Sequence, residues 1–178
     1  DPETGEAEVV AYVACDDVGN IINPQIVEGQ VQGGLTQGAG QVFSELAVYD
    51  RGGQLLTGSF MDYAMPRAGL VNGIKLLEHP VPTKLNPLGA KGIGESATIG
   101  STPAVHNAIV DALSHLGVRH LDMPCTAERV WRAIQDAVLS PMNRGSSAPS
   151  TPSRSSRRAA RVAKRASARH PGRPAPLQ

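Results

Sequence analysis

Residues 86–113 read NPLGAKGIGESATIGSTPAVHNAIVDAL, and this stretch decides the fold. Its first part belongs to a loop rich in Pro and Gly that covers residues 80–96. Its second part predicts an amphipathic helix that begins at Pro103, since Pro is favoured at the first helical position and apolar side chains then recur at helical spacing. Gly117 is predicted to end that helix. The stretch therefore predicts a loop that presents a carboxylate, Glu95, just before a helix.

Short strands and two further helices are predicted on both sides of this stretch. Clusters of Val, Ile and Leu between turn residues indicate the strands, and Pro or capping residues indicate the helix starts. The predicted elements are strand 7–14, helix 25–46 opened by Asn23-Pro24, hairpin 47–57 around a Gly-Gly turn, strand 74–78, strand 118–121 and a last helix capped by Thr126. We expect an α+β fold, with a mixed sheet and packed helices that form one part of a larger domain.

The charge of the 178-residue chain, +1 overall, is divided unevenly. Residues 1–139 hold 8 Lys and Arg against 16 Asp and Glu, whereas residues 140–178 hold 9 Lys and Arg and no acid. The second segment is rich in Ser, Pro, Ala and Arg, so it is predicted to be a disordered tail. Three interpretations of it stay open: a solvated tail, a segment that binds phosphates non-specifically, and translation past the true end in a shifted frame.

Several classes of protein are disfavoured by the sequence. Cys15 and Cys125 form no CxxC pair, so no iron–sulfur motif is present, and the His residues lack paired metal-ligand spacing. We therefore assign no metal ligand to this chain. Apolar runs are too short to span a bilayer, and the first residues resemble no signal peptide. We expect a cytoplasmic protein and, because the chain lacks an initial Met, a truncated one.

The sequence Lys91-Gly92-Ile93-Gly94-Glu95-Ser96 is the strongest chemical signal. Gly on both sides of Ile93 lets the backbone turn sharply and lets a bulky group approach Glu95. A following helix leaves free N–H groups that suit an anionic ligand, and a carboxylate in such a loop can act as a general base. Three alternatives stay open: a solvated Glu95 on a surface turn, a phosphate-binding module built on residues 89–96, and a nucleic-acid-binding protein that uses its tail. The second lacks the Walker and Rossmann signatures.

Five glycines interrupt the predicted helix over residues 25–46. Each costs about 0.5–1 kcal/mol relative to Ala in a helix interior, so a close approach to the backbone is expected. Gln30, Gln37 and Gln41 share a face with Gly33. This face is interpreted either as a platform for a planar polar cofactor or as a tight packing surface, and the residues alone favour packing.

Four stretches, taken together and in this order, resemble one family. They are residues 16–41, 55–68, 86–113 and 118–134. They are similar to the C-terminal molybdopterin-binding domain of the xanthine dehydrogenase family of molybdenum hydroxylases, which includes aldehyde oxidases. Within that family, the sequence most resembles large subunits of the aerobic carbon monoxide dehydrogenase type.

The resemblance implies an oxidoreductase that acts on CO, an aldehyde or an N-heterocycle, with oxygen derived from water. It implies molybdenum held by molybdopterin, in the cytosine dinucleotide form that bacterial-type motifs favour, and copper as well in a true CO dehydrogenase. The expected partners are iron–sulfur and FAD subunits and the missing N-terminal half of the large subunit. The isolated fragment is therefore expected to be inactive.

The resemblance also implies roles for individual residues. Glu95 matches the glutamate beside molybdenum, which acts as a base or positions the oxygen. Gln30, in the Gly-Gln-x-x-Gly sequence, is expected near the molybdenum or the pterin. The expected lining of the cofactor pocket is Lys91, Gly92, Gly94 and Ser96. Two features depart from the family: Ser96 stands where many relatives carry Ala or Pro, and the basic tail matches nothing in it.

Overall fold

The structure is a computed structural model that describes residues 1–139. The elements are β1 (Tyr12–Asp16), α1 (Pro24–Phe43), β2 (Ile74–Glu78), α2 (Ser96–Leu113), a 3-10 turn (Ser114–Leu116) and α3 (Ala127–Leu139). The prediction of a disordered tail at residues 140–178 lies outside the described residues. Within residues 1–139, no helix is both long and apolar enough to cross a bilayer.

The α+β class is confirmed, but the sheet of the described residues differs from the expected mixed sheet. It consists of β1 and β2 alone, which run parallel with Tyr12 opposite Ile74. The segment between them contains α1, and a helical crossover brings two strands into the same direction. Within residues 1–139, antiparallel pairing occurs only at isolated bridges, one of which joins Tyr49 to Leu55 in the predicted hairpin.

The strand predictions had mixed outcomes. Strand 74–78 is confirmed as β2, whereas β1 begins at Tyr12, later than the predicted 7–14. Residues 118–121 form no strand, so that prediction was wrong. Leu121 is instead buried in the core, and its carbonyl lies 2.8 Å from His106 Nε2 of α2. This apolar segment therefore packs against a helix and does not pair with a strand.

Helix α1 begins where the sequence predicted. Asn23 is the N-cap, since its side chain accepts a hydrogen bond from the Ile26 amide at 3.2 Å, and Pro24 occupies the first turn. Val31, Leu35, Ala39 and Val42 of this helix are all buried. The long glycine-containing stretch is a continuous helix of 20 residues, which ends at Phe43 and not at residue 46 as predicted.

Helix α2 begins at Ser96, seven residues before the predicted start at Pro103. Pro103 lies inside the helix and is exposed to solvent, so its ring does not disturb the packed side. It removes the hydrogen bond that its N–H would have donated. Contacts with α1 offset this loss, because α2 already packs against α1 through Ala97 and the fully buried Ser101. Tertiary packing thus overrides the local helix-start signal.

The contact between α1 and α2 requires glycine at two positions. A Cβ on Gly34 would lie 2.8 Å from the Ala97 Cβ. A Cβ on Gly38 would overlap the Ser101 Oγ and lie 3.0 Å from the Thr102 amide nitrogen. A Cβ on Gly33 would meet nothing within 4 Å. The packing interpretation is therefore confirmed for Gly34 and Gly38, whereas the Gly33 side of the helix is open.

The remaining core lies between α2, α3 and the segment that joins them. Val105, Ile109 and Leu113 of α2 pack with buried side chains of α1 and α3. The cap of α3 is confirmed, since the Arg129 amide donates to the Thr126 Oγ1 at 3.4 Å. Trp131 is 40% exposed, whereas Val130 and Ile134 of the same helix are buried.

Candidate functional site

Glu95 lies at the N-cap position of α2, with its side chain exposed. Its carbonyl accepts a hydrogen bond from the Ile99 amide at 3.0 Å, which joins the loop directly to the helix. A Cβ placed on either Gly92 or Gly94 would meet nothing within 4 Å. The outer side of the loop is therefore open, and a bulky group can approach the carboxylate.

The N-terminus of α2 leaves backbone donors beside Glu95. The amides of Ser96, Ala97 and Thr98 have no acceptor within the helix, and the Glu95 side chain does not cap them. Together with the helix dipole, free amides favour a negatively charged group at this end. Ser96 is exposed and adds a hydroxyl to the same edge. This donor set suits the phosphate or the polar ring edge of a pterin cofactor.

Gln30 connects α1 to this loop. Its Nε2 donates to the Gly94 carbonyl at 2.8 Å, across 64 residues of sequence. The structure thus brings together two residues that the sequence singled out separately. Because the bond holds the residue just before Glu95, Gln30 orients the backbone that carries the carboxylate.

The other two glutamines of the face bind α2 itself. The Thr98 hydroxyl donates to the Gln37 Oε1 at 3.2 Å, and the Thr102 hydroxyl donates to the Gln41 Oε1 at 3.1 Å. These bonds belong to the helix interface. The platform interpretation is thus restricted to Gln30 and the open side around Gly33.

Lys91 lies in the loop four residues before Glu95, and its side chain pairs with Asp17. The Nζ to Oδ2 distance is 2.5 Å, and both side chains are about one third exposed (35% and 33%). Asp17 Oδ1 also accepts hydrogen bonds from the amides of Gly19 at 3.0 Å and Val81 at 2.9 Å. Asp17 was not among the candidate site residues predicted from the sequence. Its place after β1 was the available signal, but its partner 74 residues away was not visible.

The hydrogen bond from Lys91, followed by those from the amides of Val81 and Gly19, lowers the pKa of Asp17 from 3.8 to about 2. The stability that this carboxylate contributes is therefore fully present above its unfolded pKa of about 4 and is lost as the pH falls to about 2. We expect a Lys91→Met variant to raise the pKa of Asp17 toward its ordinary value. An NMR titration of the carboxyl carbon would measure it, and an unchanged midpoint would contradict the ion pair.

The described residues offer a cofactor one open surface, which lies around Glu95. Residues 1–139 contain no cluster of three or more His, Cys, Asp or Glu side chains that could hold a metal ion. Two concave surfaces are lined by residues outside the loop, one between Ser44 and Leu70 and one beside Cys125. Glu95, the open glycines and the free amides therefore fit one wall of a cofactor site.

Residues 1–71 match the family model of the molybdopterin cofactor-binding domain. Over 136 residues, the chain is 42% identical to the carbon monoxide dehydrogenase large chain of Hydrogenophaga pseudoflava, covering 76% of this chain and 17% of the relative. It is 40% identical over 138 residues to the nicotine 6-hydroxylase large subunit of Paenarthrobacter nicotinovorans, covering 78% of this chain and 17% of the relative.

The fold also matches a solved molybdenum enzyme. The Cu,Mo-CO dehydrogenase in its carbon monoxide reduced state superposes with a TM-score of 0.73 and 38% identity, covering 78% of this chain and 18% of that chain. The chain thus spans about one sixth of the length of the relatives it matches. These matches agree in domain, fold and subunit, and the chain belongs to the xanthine dehydrogenase family of molybdenum hydroxylases, as a part of the large, molybdenum-cofactor-binding subunit.

Proposed function

We propose that the complete protein is a molybdenum-dependent hydroxylase and that this part of it supplies Glu95 to the active site. The observation that carries the proposal is the position of Glu95, exposed at the N-cap of α2 beside two glycines with open space around them. In a family that binds molybdopterin, this is a carboxylate beside a backbone surface to which a large planar ligand can come close.

The residues that would hold the cofactor are those of the loop and of the start of α2. The amides at Ser96 and Ala97 would donate to an anionic group, and Gly92 and Gly94 would allow the cofactor to contact the backbone. Gln30 would fix the Gly94 end of this surface. When bound, the cofactor supplies the two-electron oxidation of the substrate. Its cytosine dinucleotide form, and a copper ion in a CO-oxidising enzyme, are part of the proposal.

Glu95 would act on the proton of the water that provides the oxygen atom. A carboxylate oxygen of Glu95 accepts this proton, so that the water oxygen becomes a better nucleophile toward the substrate. The helix bond from the Ile99 amide holds the Glu95 backbone, and the Gln30 bond holds the preceding residue. A base must lie within hydrogen-bond reach of its proton, so both contacts contribute to the geometry of the step.

The similarities support a common mechanism more than a particular substrate. The chain is 42% identical to a carbon monoxide dehydrogenase and 40% identical to a nicotine hydroxylase, two enzymes whose substrates differ greatly. This part of the subunit therefore carries shared machinery, and the substrate class (CO, an aldehyde or an N-heterocycle) would be set by the rest of the enzyme. Iron–sulfur and FAD subunits are the proposed electron acceptors. The free amides of α2 also suit the phosphate-binding alternative, but the family relationship favours a pterin ligand.

The reaction class can be tested with isotopic oxygen. The complete enzyme would be given CO, an aldehyde or an N-heterocycle with a dye as electron acceptor and no reductant. We expect dye reduction with one substrate class and, for the heterocycle or aldehyde, product oxygen that comes from H2¹⁸O. Incorporation from ¹⁸O2 instead would contradict the proposal, because it would indicate a monooxygenase.

A Gln30→Leu variant tests the contact with the loop. Loss of the bond to the Gly94 carbonyl frees the residue before Glu95, and a shift of about 1 Å can cost about 10²-fold in rate. We expect kcat of the complete enzyme to fall by at least about 10-fold. Gln32→Leu is the matched control, because within residues 1–139 the Gln32 side chain bonds only to Glu28 on the same helix. Equal activity of the two variants would show that the Gln30 bond is dispensable.

A further inference from the structure

We propose that Asp17 and Lys91 form a positioning pair that holds residues 91–95, the Glu95 loop, in their active conformation. The proposal rests on the proposed function, because it concerns the same loop. It differs from the expectation that Lys91 binds the cofactor, since its ammonium group is directed at Asp17 at 2.5 Å.

Asp17 is itself held firmly. Its Oδ1 accepts from two amides, those of Gly19 and Val81, and its Oδ2 receives the Lys91 ammonium. Both carboxylate oxygens are thus engaged. These contacts tie the turn after β1 to the segment after β2, so the carboxylate forms a fixed point on the small parallel sheet.

The backbone around Lys91 is fixed to the same turn. The Lys91 amide donates to the Val18 carbonyl at 2.9 Å, and the Asn20 amide donates to the Gly89 carbonyl at 3.0 Å. Gly19 and Ala90 also form an antiparallel bridge. The start of the loop is therefore attached by backbone bonds to the turn after β1, and the Lys91 side chain reinforces this attachment.

The loop from Lys91 to Glu95 is consequently held at two ends, and Ile93 between them packs against buried side chains of α1 and α2. One end is the Asp17–Lys91 pair, and the other is the Gln30 bond at Gly94. Between them, Gly92 has open space on its Cβ side and the backbone freedom of glycine. If the first attachment weakens, rotation about the Gly92 and Gly94 backbone can change the direction of the Glu95 carboxylate.

Pairing with Asp17 also makes Lys91 a poor direct ligand for an anion. The pair is close to neutral as a unit, and moving the ammonium to a cofactor phosphate would leave Asp17 without its charged partner. The two interpretations give opposite predictions for Asp17. If Lys91 positions the loop through Asp17, loss of either side chain should lower activity to the same extent. If Lys91 binds the cofactor directly, only loss of Lys91 should lower activity.

The test uses the complete enzyme with Asp17→Asn, Lys91→Met, both together, and the exchanged pair Asp17→Lys with Lys91→Asp. We expect each single variant to lower kcat by at least about 10-fold with KM changed less than about threefold, because misplacement of a catalytic group affects the reaction step. The double variant should be no worse than either single one. The exchanged pair should recover kcat to within about threefold of the wild type.

Two further measurements do not depend on turnover. Molybdenum content should stay at the wild-type level in all these variants, and amide hydrogen exchange at residues 89–95 should be faster in the single variants. Asp16→Asn and Lys84→Met are matched controls for charge, and they should change neither the molybdenum content nor the amide exchange at residues 89–95. If the exchanged pair does not fold, Lys91→Arg replaces it, since a guanidinium can still bind Asp17 and should keep kcat within about threefold.

Three results would overturn the proposal. The first is loss of molybdenum in Lys91→Met with normal content and kcat in Asp17→Asn, which would make Lys91 a direct ligand. The second is loss of activity without faster exchange at residues 89–95. The third is a Lys91→Arg enzyme as slow as Lys91→Met. Full turnover by a Glu95→Gln enzyme would instead refute the proposed function of Glu95, while the exchange result would still decide whether the pair holds the loop.

Discussion

Replacing Glu95 by Gln in the complete enzyme should lower kcat by about 10²–10⁴-fold, the range typical for loss of a general acid–base group. Gln has nearly the same shape but does not accept a proton at neutral pH. The Glu95 side chain is exposed and makes no capping bond in the wild type, so the fold should not depend on it. The lost step is proton transfer, so kcat and kcat/KM should fall together.

Molybdenum content separates the catalytic role from a structural one. We expect the Glu95→Gln enzyme to retain wild-type molybdenum and an unchanged melting temperature. Glu78→Gln, at the exposed end of β2, is a matched control and should keep full activity. A fully active Glu95→Gln enzyme would rule out the assigned role, and one that has lost its molybdenum would show that Glu95 holds the cofactor.

Replacing Gly38 by Ala should destabilise the packing of α1 against α2. The new Cβ would overlap the Ser101 Oγ and contact the Thr102 amide, and Ser101 is fully buried, so little room exists to move. Overpacking of this kind costs about 1–3 kcal/mol or more. We expect a lower apparent melting temperature and a lower soluble yield of the complete subunit. A Gly38→Leu variant should not fold.

Two companion variants identify the cause. Gly33→Ala lies in the same helix but meets nothing within 4 Å, so it should leave stability unchanged or raise it by about 0.5–1 kcal/mol. Adding Ser101→Ala to Gly38→Ala removes the overlapping oxygen and should recover part of the loss. If Gly33→Ala and Gly38→Ala have equal effects, helix propensity alone would account for both, and the close approach of α1 to α2 would be unimportant.

The local signals in the sequence were sufficient where an element depends on its own residues. The start of α1 at Asn23-Pro24, the strand β2 and the cap at Thr126 all follow from side chains within a few positions. The start of α2 did not, because Pro103 is a strong local signal that contacts with α1 override. Helix boundaries that depend on a distant partner are not encoded in the nearby sequence.

The candidate site shows the same division. Glu95 and its glycines were recognisable from spacing and from resemblance, and Gln30 from its motif. The bond between Gln30 and Gly94 spans 64 residues, and the pair of Asp17 with Lys91 spans 74. Neither partner was predictable from periodicity, since hydrogen-bond partners across such distances depend on how the helices pack. Asp17 was accordingly not among the predicted site residues.

The contacts around Glu95 include neutral hydrogen bonds and an ion pair. The α1–α2 interface uses neutral amides and hydroxyls, as in Gln37 with Thr98 and Gln41 with Thr102, which dissolved ions scarcely affect. Of the ion pairs within residues 1–139, the one at the loop is Asp17 with Lys91, and it is partly open to solvent. The Debye length shortens from about 10 Å at 0.1 M salt to about 3 Å at 1 M. Ionic strength therefore acts on one attachment of the loop and spares the other, so a salt series on the intact enzyme perturbs the Lys91 end selectively without any mutation.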